Sequence, residues 1–151
     1  MKKEFYDNVF GQLRCEENNS DWYHSTIDFQ HGETTNFSLS LDDFDGDVGD
    51  KELLKIIEEA KKTLFALQQR EADIRREIAE AQLPNYNQTW NDSGVSITIE
   101  EFLSHMKLCE VIMYAIGTSS LTYTVGDLFS DHSLIADLNT RQQIEDLDFA
   151  G

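Results

Sequence analysis

Between residues 50 and 83, Leu53, Ile57, Ala60, Leu64, Leu67, Ile74, Ile78 and Ala81 recur at steps of about four and three, with Glu71 the one polar intruder in the line. That spacing is the seam of a helix. Leu54, Ile56 and Phe65 widen the first half into a broad apolar face, whereas residues 68–80 keep only the narrow line of Ile74 and Ile78. The first half is therefore expected in the core and the second as a partly exposed arm. Asp50 is placed to cap the N-terminus, and Pro84, which lacks an N–H and restricts Leu83, is expected to end the helix. Glu58 with Lys62 and Glu71 with Arg75 stand four apart in the order that favours ion pairing. A straight helix over this span is about 50 Å long, against a diameter of roughly 40 Å for a compact chain of this size. The helix is thus expected to bend near residues 68–72, or else to project and pack on a second copy as a short coiled-coil seam. Because the seam falls short of three to four heptads, a monomer is expected over a homodimer through the 68–81 arm.

The other segments read mainly as strands. Residues 9–15 form a first strand with a bulge at Gly11, and 22–29 a second, with Tyr23, Ile27 and Phe29 on one face and Trp22, His24, Thr26 and Asp28 on the other. A hairpin loop at 30–35 leads to a third, in which Phe37, Leu39 and Leu41 alternate with Asn36, Ser38 and Ser40. After the long helix comes an Asn-rich connector, 83–94, with Tyr86 and Trp90 expected to pin it to the core. Thr98 and Glu101 make the S/T-x-x-E pattern that opens a short second helix at Ile99, burying Phe102, Leu103 and Met106. Strands follow at 111–116, 121–125, 133–138 and 144–149, the first apolar on both faces and so central. The expected fold is α+β: a three-stranded antiparallel meander, a long central helix, a short second helix, and about four C-terminal antiparallel strands, in one domain spanning 1–151.

The chain has 151 residues, 40% of them apolar, enough to form one core without disulfides or a metal. Its formal charge of −17 argues against nucleic acid and against an anionic membrane surface, and makes a basic protein the natural complement. The start of the chain has no apolar run suited to a secretory signal, and no run is long enough to span a membrane, so a cytoplasmic location is expected. Cys15 and Cys109 have neither CxxC nor metal-ligand spacing and read as small buried hydrophobes.

Asp42, Asp43, Asp45, Asp47 and Asp50 crowd the loop before the long helix, interleaved with Gly46 and Gly49. With Gly46 as the glycine of a calcium loop, Asp43, Asp45, Asp47 and Glu52 fall at ligand positions, but Leu41 occupies the place of the first carboxylate. A solvated loop whose carboxylates favour the positive end of the helix accounts for the same residues, and no metal or other cofactor is expected. His24, His31, His105 and His132 lack zinc-motif partners. His132, beside Asp127 and Asp131 on a loop between strands, is the one candidate general base of a hydrolase or metal-dependent enzyme. Set against that is a histidine that closes a turn on the backbone. No nucleophile elbow and no phosphate loop accompany it. Tyr6, Trp22, Tyr23, Trp90, Tyr114 and Tyr123 could supply an interface hot spot, and the binding residues expected are Trp22 and Trp90 as anchors with Asp42, Asp43, Asp45, Asp47 and Asp50 for charge.

The run Asp127-Leu128-Phe129-Ser130-Asp131-His132-Ser133-Leu134, the early Gly11-Gln12-Leu13 strand, Trp22 in the next strand and the closing Phe149-Ala150-Gly151 resemble a family of small uncharacterised bacterial proteins. That family's late element has Gly before its histidine, where this chain has Asp131. Some similar small acidic domains are thought to be immunity proteins against polymorphic toxins, so the resemblance implies a binding role. The expectation for function is a non-enzymatic protein-binding domain, an immunity protein neutralising a basic toxin, with a hydrolase using Asp127, Asp131 and His132 as the alternative.

Overall fold

The computed structural model describes residues 4–16, 19–30, 33–44, 46 and 48–150. Eight strands lie side by side in chain order in one sheet: β1 (Glu4–Asp7), β2 (Gly11–Glu16), β3 (Asn19–Gln30), β4 (Glu33–Ser40), β5 (Lys107–Tyr114), β6 (Ser119–Thr124), β7 (Ser133–Leu138) and β8 (Ile144–Ala150). Every neighbouring pair is antiparallel except β4 and β5, which run parallel from Asn36 opposite Glu110 to Ser40 opposite Tyr114. A parallel pair needs a long return path, and here that path holds both helices, α1 (Asp50–Asn85) and α2 (Ile99–His105). The chain is α+β as expected, but its two groups of strands are halves of a single mixed sheet.

Several boundaries differ from the sequence reading, each for a local reason. The strand expected over 9–15 is β2, and β1 precedes it where no strand was expected. The Asp7 carboxylate accepts from the N–H groups of Val9 (2.8 Å) and Phe10 (3.0 Å), closing a turn that Gly11 completes at φ +73°. The glycine is thus the exit of a hairpin and not a bulge, and Phe10 points from the turn into the core with no exposure. The strand expected to reach residue 116 ends at Tyr114, because Gly117 (φ +98°) turns the chain there and Gly117 N–H donates to the Tyr114 carbonyl.

Helix α1 is capped by the backbone of Gly49, whose carbonyl accepts from Leu53 N–H; Asp50 is the first helical residue and makes no side-chain cap. Pro84 does not end it. The helix continues to Asn85 and then widens into one π-turn, Tyr86–Trp90. Pro84 lies on the exposed side, where water can take the carbonyl its missing N–H leaves open. Leu54 and Phe65 face solvent, at 62% and 66% exposure, so the buried stripe is narrower than expected in the first half. In the second half Ile74, Ile78 and Ala79 are fully buried, and Ala79 replaces the exposed Ala81 in the stripe. This half is no projecting arm, since Gln68 donates to the Phe29 carbonyl (2.7 Å) and Arg70 to that of Gln142 (3.4 Å). Lys61 and Lys62 pair with Glu58 and Glu59, each three residues back, in place of the expected Glu58–Lys62 pair. Helix α2 opens as read, with Thr98 Oγ1 accepting from Glu101 N–H at 3.2 Å.

The core lies between α1 and one face of the sheet. Phe37, Leu39, Val111, Met113, Leu121 and Tyr123 meet Leu64, Leu67, Ile74 and Ile78 in one cluster. Glu71 is buried in it at 4% exposure, bonded to Arg75 and to the Tyr123 hydroxyl (2.9 Å). Among the described residues no helix is long and apolar enough to cross a membrane.

Candidate protein-binding face

Strand alternation that buries Tyr23, Leu39, Val111 and Leu121 turns their neighbours to the opposite face, where neither helix packs. The register lines these neighbours into rows. His24, Ser38, Ile112, Ser120 and Asp137 stand abreast, as do Asn36, Glu110, Thr122, Ile135 and Asp148, and Trp22 lies across Ser40 from Tyr114.

Trp22 is fixed in place. Its Nε1–H donates to Asp42 Oδ2 at 2.6 Å, its ring stacks on His24 with centroids 6.2 Å apart, and the edge of Tyr114 meets it at 6.5 Å. His24 Nδ1 lies 2.7 Å from Ser38 Oγ, and Ser120 donates to Asp137 Oδ1 at 2.6 Å. The result is a half-exposed aromatic centre on a floor of small hydroxyl side chains.

The carboxylates of the loop before α1 do separate jobs. Asp42 orients Trp22, while Asp43 accepts from two consecutive backbone N–H groups, Ala115 at 3.1 Å and Ile116 at 3.2 Å, and so clamps the loop to the β5–β6 turn. Asp50 is exposed at the start of α1, and Glu52 sits in its first turn. Asp45 and Asp47 lie outside the described residues, as does His31. Among the described residues no group of three His, Cys, Asp or Glu side chains is arranged to hold a metal ion. The two cysteines are free, and burial pushes the Cys109 thiol above its ordinary value, with the charge of Glu110 adding to it.

Trp90 stands on the helix side, away from Trp22. Its ring meets Phe129 at 5.5 Å, His132 at 5.6 Å and Phe149 at 6.4 Å, and Tyr86 meets Phe129 at 5.6 Å, so these two aromatics tie the connector to the strands. His132 closes the turn before β7: its backbone N–H donates to the Phe129 carbonyl (3.0 Å) and its Nδ1 lies 3.1 Å from the same oxygen. Asp127 and Asp131 are exposed beside it, and among the described residues neither carboxylate bonds the ring. Gly11-Gln12-Leu13 opens β2, Trp22 lies in β3, and the segment from Asp127 leads into β7, an order that one family model spans over residues 7–149.

The chain belongs to that family, an uncharacterized protein conserved in bacteria (DUF2262). No curated protein and no solved structure matches it.

On the uncovered face of this DUF2262 chain Arg14 stands opposite His24 at the β2 end, and the carboxylates gather toward β5, β7 and β8. Among the described residues no lysine or arginine pairs with Glu110, Asp137, Asp146 or Asp148, whereas the pairs that do form lie on α1, at α2, or at the β1–β2 edge. Sequence reasoning singled out Trp22 and Asp42 without a link between them, and it did not bring Tyr114 beside Trp22 or Ile112 into the row of Ser38. Pairing across the parallel strands, 70 residues apart, leaves no local signal for either.

Proposed function

We propose that this protein is a non-enzymatic binding domain that takes a basic protein partner on the uncovered face of its sheet. The observation that carries the reading is Trp22, held by Asp42 beside Tyr114 on a face whose far strands carry Asp137, Asp146 and Asp148 without basic partners among the described residues. Aromatic side chains that are already oriented lose little entropy on binding and tend to dominate interface energy. Carboxylates elsewhere on the same face add rate and selectivity toward a cation-rich surface. An inhibitor of a basic toxin, working in the cytoplasm as an immunity protein, is the specific form of this function that the family resemblance favours.

The test is capture of partners from the native lysate by the tagged protein at low and high salt, with Trp22→Ala alongside. A basic protein held at low salt, weakened at high salt and weakened by about 2–4 kcal/mol in the variant supports the reading. A partner held equally by Trp22→Ala, or indifferent to salt, defeats it.

A further inference from the structure

Single exposed apolar side chains are ordinary on a protein surface. Leu54 and Phe65 are not placed singly. Both are exposed on α1, about three turns apart, which brings them to the same side of the helix within roughly 20° of one another. Glu58 and Lys62 lie between them on that side, also exposed, and each has an ion-pair partner on its own helix, Lys61 at 3.0 Å and Glu59 at 3.1 Å. Lys61 itself is drawn toward the β1–β2 turn by Asp7 (2.7 Å) and Asn8 (3.1 Å), so it does not cover the stripe.

Charge singles out the same half of α1. Residues 50–69 hold four carboxylates and four lysines, so this stretch is neutral and the whole net charge of −17 lies elsewhere in the chain. Two copies repel one another wherever that excess faces itself, and least where α1 meets α1. The direction of such a contact follows from the pattern. In a parallel pair about a twofold axis each residue meets its own copy, so that Glu58 faces Glu58 and Lys62 faces Lys62. In an antiparallel pair, with the axis beside Glu59 and Ala60, Leu54 of each copy meets Phe65 of the other and Glu58 meets Lys62. The two helix dipoles are then opposed as well.

We propose that the outer side of α1 is a self-association surface on which two copies of this chain pair antiparallel, Leu54 against Phe65 at both ends of the contact and Glu58 against Lys62 between them. The contact is centred on the first half of the helix and not on residues 68–81. It lies on the side of α1 away from the sheet, so the uncovered face stays open in the pair, and it stands independently of the docking reading there.

The test is sedimentation equilibrium of the full chain over a concentration series at about 0.15 M salt. A mass that rises with concentration toward twice 17.4 kDa is expected. Leu54→Lys and Phe65→Glu should each weaken the dimer by at least about tenfold, because a symmetric contact meets the change twice. Both positions are exposed, so the far-ultraviolet circular dichroism should stay as it is. Val95→Lys, at an exposed apolar position away from α1, should leave the dimer unchanged. Mixed in equal amounts, the two charged variants should recover a dimer, since an antiparallel pair of them keeps one Leu54–Phe65 contact and sets the introduced lysine against the introduced glutamate at the other. A chain that keeps the mass of one copy throughout overturns the proposal and leaves the stripe to a different protein. A dimer indifferent to both changes, or weakened equally by Val95→Lys, overturns it too, and a mixture that stays monomeric overturns the antiparallel pairing.

Discussion

Glu71 is legible in the sequence as the interruption of an apolar seam four residues before Arg75, and that spacing announces its ion pair but not its burial, since this half of the helix was expected to be partly exposed. Its third partner, Tyr123, is 52 residues away, and only the sheet brings it there. Replacing one member of a buried charged pair leaves the other without compensation, which costs more than the pair contributes. Glu71→Ala is therefore expected to lower stability by about 3–5 kcal/mol in urea unfolding, and Tyr123→Phe, which removes one neutral donor, by about 1–2 kcal/mol. The reverse order would mean that Arg75 swings out to water when Glu71 is lost. The two buried tyrosines also predict a response to alkali. Burial, with the charge and hydrogen bond of Glu71, holds the Tyr123 phenol well above its ordinary value, and burial with the charges of Cys15, Asp50 and Asp21 pushes Tyr23 up to about 12. The unfolded chain loses these protons near pH 10 while the folded chain keeps them. The Tyr23 contribution is therefore present in full below pH 10 and lost as pH rises through about 12, and that of Tyr123 is lost likewise as pH rises through its own raised value. Each removes at most about 1.4 kcal/mol per pH unit while the folded and unfolded chains differ in protonation. Urea midpoints measured from pH 9 upward should fall, and Tyr23→Phe should make the fall shallower.

At the scale of elements, periodicity told helix from strand well, and it failed where a side chain rather than a pattern sets the boundary. Asp7 makes the β1–β2 turn, where the sequence suggested a strand already begun at residue 9, and Asp43 pins the β5–β6 turn, where it suggested a solvated acidic loop. A carboxylate says nothing in sequence about which backbone N–H it will find. Position 84 is the opposite case, where a strong local rule gave way because the rest of α1 is held by burial on the sheet. The Asp43 clamp is open to test. Asp43→Ala leaves the N–H of Ile116 without its acceptor and frees the loop from the turn, so a loss of about 1–3 kcal/mol is expected. Hydrogen exchange should quicken at Ile116 while the amides of Val111 and Met113, inside the central strands, keep their protection. Exchange that quickens equally through β5 would show that the clamp holds the strand pair and not merely the loop.

At the scale of the molecule, the α+β class and the long helix follow from local pattern, but the union of all strands in one sheet does not. It rests on the β4–β5 pairing, whose partners are more than 70 residues apart, and without it the uncovered face, its rows and its charge have no existence in sequence. Charge was legible as a total and not as a distribution. The register now places Asp137 directly opposite Asp146 on β7 and β8, with Asp148 one row away. Like charges opposite one another on a sheet oppose its formation, and the chain's net charge of −17 adds a diffuse repulsion that favours the expanded state. Salt screens such repulsion over about 10 Å at 0.1 M, whereas the buried Glu71–Arg75 pair is screened far less. Urea stability should therefore rise with sodium chloride from about 0.01 to 0.5 M, by on the order of 1 kcal/mol. Asp146→Asn should raise stability at low salt and flatten the dependence, because it removes the directly opposed pair. A fall in stability with salt would mean that attractive pairs such as Asp7–Lys61, at 2.7 Å, outweigh the repulsion. In that case the carboxylates of the open face would be too well solvated to draw in a basic partner by charge.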